Sequence, residues 1–205
     1  MTDTASTPPN LTKQTAALVR ALLERDANTG EHCGRTHALS LELGRAASLS
    51  ASALANLGLA AQLHDIGKIG IPDRVLLKPG RLEPSELAVM KTHPQRGYEI
   101  LAMVPDEDIA VVAEAVLRHH EGFDGGGYPG GLKGEEIPAI SRIIAIADSY
   151  DALATDRPYH RAKNHDAIMR IMFEDNRGKY DPYFVSKFAS LIESSSHRSN
   201  GPQLG

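Results

Sequence analysis

Apolar residues recur three and four positions apart along most of this chain, and the strict alternation that marks a half-buried strand is almost absent. That periodicity predicts an all-α fold, a helical bundle with helices over Leu11–Arg25, Glu31–Ala47, Ala51–Ile66, Pro84–Lys91, Pro94–Met103, Asp106–His120, Ala139–Ala154, Asp166–Glu174 and Pro182–Glu193. In the second segment Leu39, Leu43 and Ala46 face a core and Thr29 is the expected N-cap. Leu59, Leu63 and Ile66 form the buried face of the third, and Val112, Ala115, Val116 and His119 that of the sixth. Met169 and Met172, with Ile168, Ile171 and Phe173, read as packing rather than a cofactor surface. Residues 72–81, with their KPG turn, read as a loop bordering a cleft. Polar, turn-rich ends predict disorder over 1–10 and 194–205, around one domain at 11–193.

Composition narrows the class. At 205 residues and 41% hydrophobic, the chain is long enough to bury a sizeable core. A net charge of −4 excludes a broad nucleic-acid footprint, whereas a small anion needs only local positive charge. No run approaches the ~20 apolar residues of a membrane span, and the opening MTDTASTPPN lacks the apolar core of a secretion signal, so a cytoplasmic location is expected. Residues 1–31 precede the first candidate ligand, which leads us to expect no receiver or sensory domain. The single cysteine, Cys33, forbids an intrachain disulfide and fits a reducing compartment. It lies about 100° around the helix from His32 and is expected to face away from it.

Candidate chemistry is scattered along the chain. In RHHEGFDGGGYPGGLKGEEIP, His119 and His120 end a helix before a loop whose glycines (Gly125, Gly126, Gly127, Gly130, Gly131) allow positive φ or close approach, while Tyr128 and Pro129 stiffen it. In LAAQLHDIGKIGIPD, His64 and Asp65 come near a helix end that Gly67 is expected to stop by a left-handed cap, with the cation Lys68 beyond. His32 lies on a helix, and His93 precedes Pro94 at a helix junction. Asp148 sits within the apolar helix RIIAIADSYDALATD, where a carboxylate needs a partner, and Asp151 follows one turn on. Singly, most of these read as ordinary core or cap residues. Together, His32, His64, Asp65, His93, His119, His120 and Asp148 exceed what one ion can use, and two ions sharing Asp65 account for them. Nitrogen and oxygen ligands narrow the ions to iron, manganese, zinc or nickel without choosing among them, and iron or manganese is the expectation. His37, His165 and His197 lack such company and read as surface or helix-face residues. Asp124 is open between backing His119 or His120 and capping the glycine loop.

The ordered motifs HDIGKIGIPD, LLKPG, HPQRGYEIL, HHEGFDGGGYPGGLKGEEIP and RIIAIADSYDALATDRPY, spanning roughly Leu18 to Leu191, resemble the HD-GYP family of bacterial cyclic di-GMP phosphodiesterases, a branch of the metal-dependent HD phosphohydrolases. The resemblance implies one metal on His32, His64, Asp65 and Asp148, and a second on His93, His119 and His120 with Asp65 shared. It places Lys68 by the scissile phosphate and puts Arg157 and the loop around Tyr128 at the nucleotide. Asp151 is also expected at the substrate. Asp65 and Lys68 would then serve catalysis, in which a metal-activated water opens cyclic di-GMP to pGpG or onward to GMP. Two departures stand out: Asn28 replaces the glutamate of trimetallic relatives, which implies two ions, and His160 replaces a basic residue, which would weaken a phosphate contact or make it pH-dependent. The resemblance also admits a diguanylate cyclase as protein partner and a homodimer. Alternative readings are a nucleotide-sensing or partner-docking module and a hydrolase of another nucleotide.

Overall fold

The computed structural model describes residues 16–22, 24, 27–156, 161–175, 178–199 and 201, with side chains at all of these except 27–31 and 175. Residues 16–22 are helical, and the helices that follow are α1 (Ala27–Ala46), α2 (Ala51–Leu63), α3 (Asp73–Leu76), α4 (Pro84–Met90), α5 (His93–Leu101), α6 (Glu107–Arg118), α7 (Ala139–Ala154), α8 (His165–Arg170) and α9 (Pro182–Ile192). Short 3₁₀ turns cover Ile66–Gly70 and Gly134–Glu136, and a π turn over Ile171–Asp175 extends α8. No β-strand occurs among the described residues.

Helix α1 packs on α2 and α7, α2 on α6, and α5 on both α6 and the first 3₁₀ turn. Leu39 and Leu43 of α1, Leu57 and Leu63 of α2, Val112 and Val116 of α6, and Ile143, Ile144 and Ile146 of α7 are buried in one core. Ala46, expected to face it, is exposed. The caps are chemical: Asp106 accepts from Asp108 N (2.9 Å), and Asp181 accepts from Tyr183 N (2.8 Å).

Several expectations change. Thr29 lies inside α1, which already begins at Ala27, so it is not the N-cap. Helix α2 ends at Leu63, and Gly67 is not a left-handed cap but part of a 3₁₀ turn. Its role is steric: a Cβ there would lie 1.9 Å from the His93 carbonyl oxygen and 2.5 Å from Gly97 N, so only glycine admits α5 this closely. The expected loop at 72–81 contains the short helix α3. His165 is not a surface residue; it is 4% exposed, between the Tyr150 hydroxyl (3.0 Å) and Glu193 Oε1 (2.9 Å). Residues 194–199, expected to be loose, are tied back, with Ser199 N donating to Tyr150 Oη (3.0 Å) and Ser199 Oγ to the Lys163 carbonyl (2.7 Å). Residues 1–10, the side chain of Asn28, Arg157 and His160 lie outside the described residues.

Candidate metal centre

The site is assembled where helices end. A helix leaves its last carbonyls without partners inside the helix, and three histidines lie within three residues of such an end. His64 directly follows α2 and donates Nδ1–H to the Ala61 carbonyl (2.8 Å). His119 directly follows α6 and donates to Val116 (2.6 Å), while His93 donates to Met90, the last residue of α4 (2.9 Å). A carbonyl can only accept, so each bond places the ring proton on Nδ1 and leaves Nε2 with a lone pair. His32, on α1, is held by a carboxylate instead. Its Nδ1 meets Asp151 Oδ2 at 2.5 Å, and Asp151 Oδ1 accepts from Arg35 Nε at 2.5 Å.

The free edges converge. His32 Nε2 lies 3.1 Å from Asp148 Oδ1. Asp65 places Oδ2 3.4 Å from His64 Nε2 and Oδ1 3.4 Å from His93 Nε2. Two groups result, His32–His64–Asp148 and His93–His119–His120, each offering ligand atoms within 4.8 Å of one another, with Asp65 reaching toward both. One ion can span such a set at about 2.0 to 2.3 Å per ligand.

The donors fit a cation on physical grounds. His93 Nε2 and His119 Nε2 face each other at 3.4 Å, both rings with their proton already on Nδ1, so two lone pairs oppose each other. His64 Nε2 is buried with no hydrogen-bond partner among the described residues. Protonation is not the remedy: burial holds His119 well below its ordinary pKa, lowers His93, and brings His120 down to about 3. Burial also disfavours the charged forms of Asp65 and Asp148. Lys68 and the histidines overcome this at Asp65, as the His32 hydrogen bond does at Asp148, and both carboxyls are held well below their usual range. His32 is likewise opposed by burial, but Asp148 and Asp151 raise it to about 9. Lys68 donates to Asp65 Oδ2 at 2.7 Å, and that carboxylate outweighs burial to raise its pKa.

The glycine-rich loop closes one side. Tyr128 stacks on His120 with centroids 4.9 Å apart and planes at 29°, and Lys91 Nζ lies 5.0 Å from the Tyr128 ring centre. Burial pushes the Tyr128 phenol up, so it remains protonated near neutrality. Glu121 anchors the loop from beneath: it is 5% exposed and accepts from Gly130 N (2.6 Å) and Leu132 N (3.1 Å). Gly127 approaches so closely that a Cβ would lie 2.1 Å from Gly122 N. Positive φ is confined within that glycine set to Gly125 and Gly131. Asp124 settles as the loop cap, accepting from Gly126 N at 2.8 Å.

All seven predicted metal ligands, together with Lys68 and Tyr128, are thus brought to one place. Asp151, expected at the substrate, lies behind His32 instead, 2% exposed and with both oxygens engaged. Cys33 does not face away. Its Sγ lies within 4.8 Å of ligand atoms of His64 and Asp65. Glu121 and Lys91 carry no motif signal of their own; only the position of Glu121, an acid directly after the histidine pair, hints at a role.

The HD-domain family model matches residues 4–184. The cyclic di-GMP phosphodiesterase response regulator RpfG of Xanthomonas campestris is 44% identical over 168 residues, covering 82% of this chain and 44% of that protein. The 3'3'-cGAMP-specific phosphodiesterase 2 of Vibrio cholerae is 36% identical over 168 residues, covering 82% of this chain and 32% of its own. The chain therefore spans less than half the length of these curated relatives. A solved cyclic GMP-AMP specific phosphodiesterase of V. cholerae aligns with a TM-score of 0.66 at 20% identity, over 91% of this chain and 50% of that one, a likeness of fold alone. Among the described residues no helix is long and apolar enough to cross a membrane.

Proposed function

The chain belongs to the HD-domain family, and from that premise we propose that it is a metal-dependent phosphodiesterase that opens cyclic di-GMP to linear pGpG and, by a second cut, to GMP. The observation that carries this reading is the pair of largely buried ligand groups joined by Asp65, with opposed Nε2 lone pairs that a cation reconciles. His32, His64 and Asp148 would hold one divalent ion and His93, His119 and His120 the other, with Asp65 reaching both; iron or manganese suits this donor set, and zinc or nickel is the alternative. Two such ions supply electrophilic stabilisation of phosphoryl oxygens and water of lowered pKa.

The chain's own groups handle the rest. Lys68 has three N–H donors and, among the described residues, one hydrogen-bond acceptor in Asp65, so it can also donate to a non-bridging phosphate oxygen. Tyr128, kept protonated, offers its ring edge and hydroxyl to the nucleotide while its ring holds His120 in place. Arg157 is assigned to a substrate phosphate on the family resemblance. Water adds to phosphorus, the bond to the ribose 3′ oxygen breaks, and that oxygen leaves with a proton.

Similarity to a 3'3'-cGAMP-specific enzyme favours a second substrate reading, so the test offers both dinucleotides to the full chain loaded with iron or manganese under anaerobic conditions. Consumption of cyclic di-GMP with release of pGpG is expected. Faster loss of 3'3'-cGAMP moves the substrate assignment, and binding without cleavage of either sinks the enzyme reading in favour of a sensor.

A further inference from the structure

Cys33 follows His32 on α1 and is 5% exposed, with its sulfur within 4.8 Å of ligand atoms of His64 and Asp65. His64 is 1% exposed; its Nδ1 is committed to the Ala61 carbonyl and its Nε2 has no hydrogen-bond partner among the described residues. Asp65 Oδ2 lies 3.4 Å from that Nε2, so a sulfur, an imidazole and a carboxylate meet in one water-poor corner. That combination differs in kind from the His93–His119–His120 group, which offers nitrogen alone. Sulfur favours soft and borderline ions, whereas manganese prefers oxygen and nitrogen.

We propose that Cys33 is a further ligand of the pocket formed by His32, His64 and Asp148, and that it widens this pocket's preference for thiophilic ions such as zinc, cobalt(II) or cadmium over manganese beyond what nitrogen and oxygen ligands alone give. On binding, the S–H bond breaks, the proton passes to solvent and a sulfur lone pair forms the bond to the ion; no oxidation state changes. The proposal rests on the metal reading above, and its readout is separate from turnover.

Because Cys33 is the only cysteine, a thiolate signal can have no other source in the chain. The full chain is stripped with a chelator and titrated anaerobically with cobalt(II), and separately with cadmium and manganese. A sulfur-to-cobalt charge-transfer band in the near ultraviolet is expected, and it should vanish in Cys33→Ser and Cys33→Ala while cobalt is still taken up. Cadmium affinity should fall roughly tenfold or more in these variants, which is about 1.4 kcal/mol, with manganese affinity little changed. Cobalt uptake without the band overturns this proposal alone, as does a band that survives either substitution. Equal losses for cadmium and manganese would show a packing role and also overturn it. No cobalt uptake at all overturns both this proposal and the metal reading. Should either variant fail to fold, the wild-type spectrum still decides.

Discussion

His64, His93 and His119 each turn Nε2 inward because a carbonyl three residues back holds Nδ1, whereas His32 depends on Asp151, itself held by Arg35. Removing the acceptor on the far side of a ligating imidazole typically weakens metal binding roughly 10- to 100-fold. Asp151→Ala should do so at the His32 pocket, and titration of metal-free protein with one ion at a time would show it; unchanged affinity would return Asp151 to a substrate role. Asp65 is a different case, because its two oxygens address both groups. Asp65→Ala should lower the bound metal from two ions toward none, and retention of one intact site by elemental analysis would refute the shared carboxylate. At this scale the ligands were legible because a histidine pair at a helix end and an acid inside an apolar helix both call for a charged partner. Asp151, Cys33 and Glu121 were not, since each takes its meaning from a partner on a distant segment: α1 for Asp151, the turn after α2 for Cys33, and the loop at Gly130 for Glu121.

Between elements, the shared device is the helix C-terminus. The ends of α2, α4 and α6 come to the centre, and the negative end of each helix dipole favours positive charge there, so the same termini that orient the histidines also suit a cation. Helix identity was therefore readable from periodicity, with α7 matching at Ala139–Ala154, but the stop of α2 at Leu63 was not. A glycine after a helix suggests a left-handed cap, and nothing local reveals that Gly67 is small because α5 crosses it. Gly67→Ala should push α5 away, cost roughly 1–3 kcal/mol by overpacking, and weaken the ion at His93 more than the one at His32. Wild-type melting with full metal content would refute that account. The glycine loop depends on Glu121 in the same way. Glu121→Ala leaves Gly130 N and Leu132 N without their acceptor, at about 1–3 kcal/mol for each such group that stays buried; a raised KM with near-normal metal content is the expected signature, and loss of metal with KM unchanged would place its role elsewhere.

Taken as one molecule, the protein folds around a cluster of ionisable groups whose proton affinities are pulled in opposite directions, down by burial at His93, His119 and His120 and up by two carboxylates at His32, and this gives metal-free protein a defined pH dependence. His93, His119 and His120 stay neutral in the folded state below the ordinary value of 6.5, His119 well below it and His120 down to about 3, whereas in the unfolded chain they charge near 6.5. Below pH 6.5 the unfolded state therefore binds more protons, and stability falls as pH falls, by up to about 1.4 kcal/mol per pH unit for each histidine involved. His32 acts in the other sense: its folded pKa of about 9 keeps a proton that the unfolded chain gives up near 6.5, so its contribution is complete below 6.5 and is lost as pH rises to about 9. Chelator-treated protein should accordingly melt at its highest temperature near pH 6.5, with a steep acid side and a shallower alkaline side. Loading with a divalent ion should abolish the alkaline decline up to pH 9, because the ion displaces the His32 proton and leaves none to lose. Melting temperatures measured from pH 5 to 9 with and without metal would test both limbs. A stability that keeps rising from 6.5 to 9 in the metal-free protein would show that His32 does not hold its proton between Asp148 and Asp151.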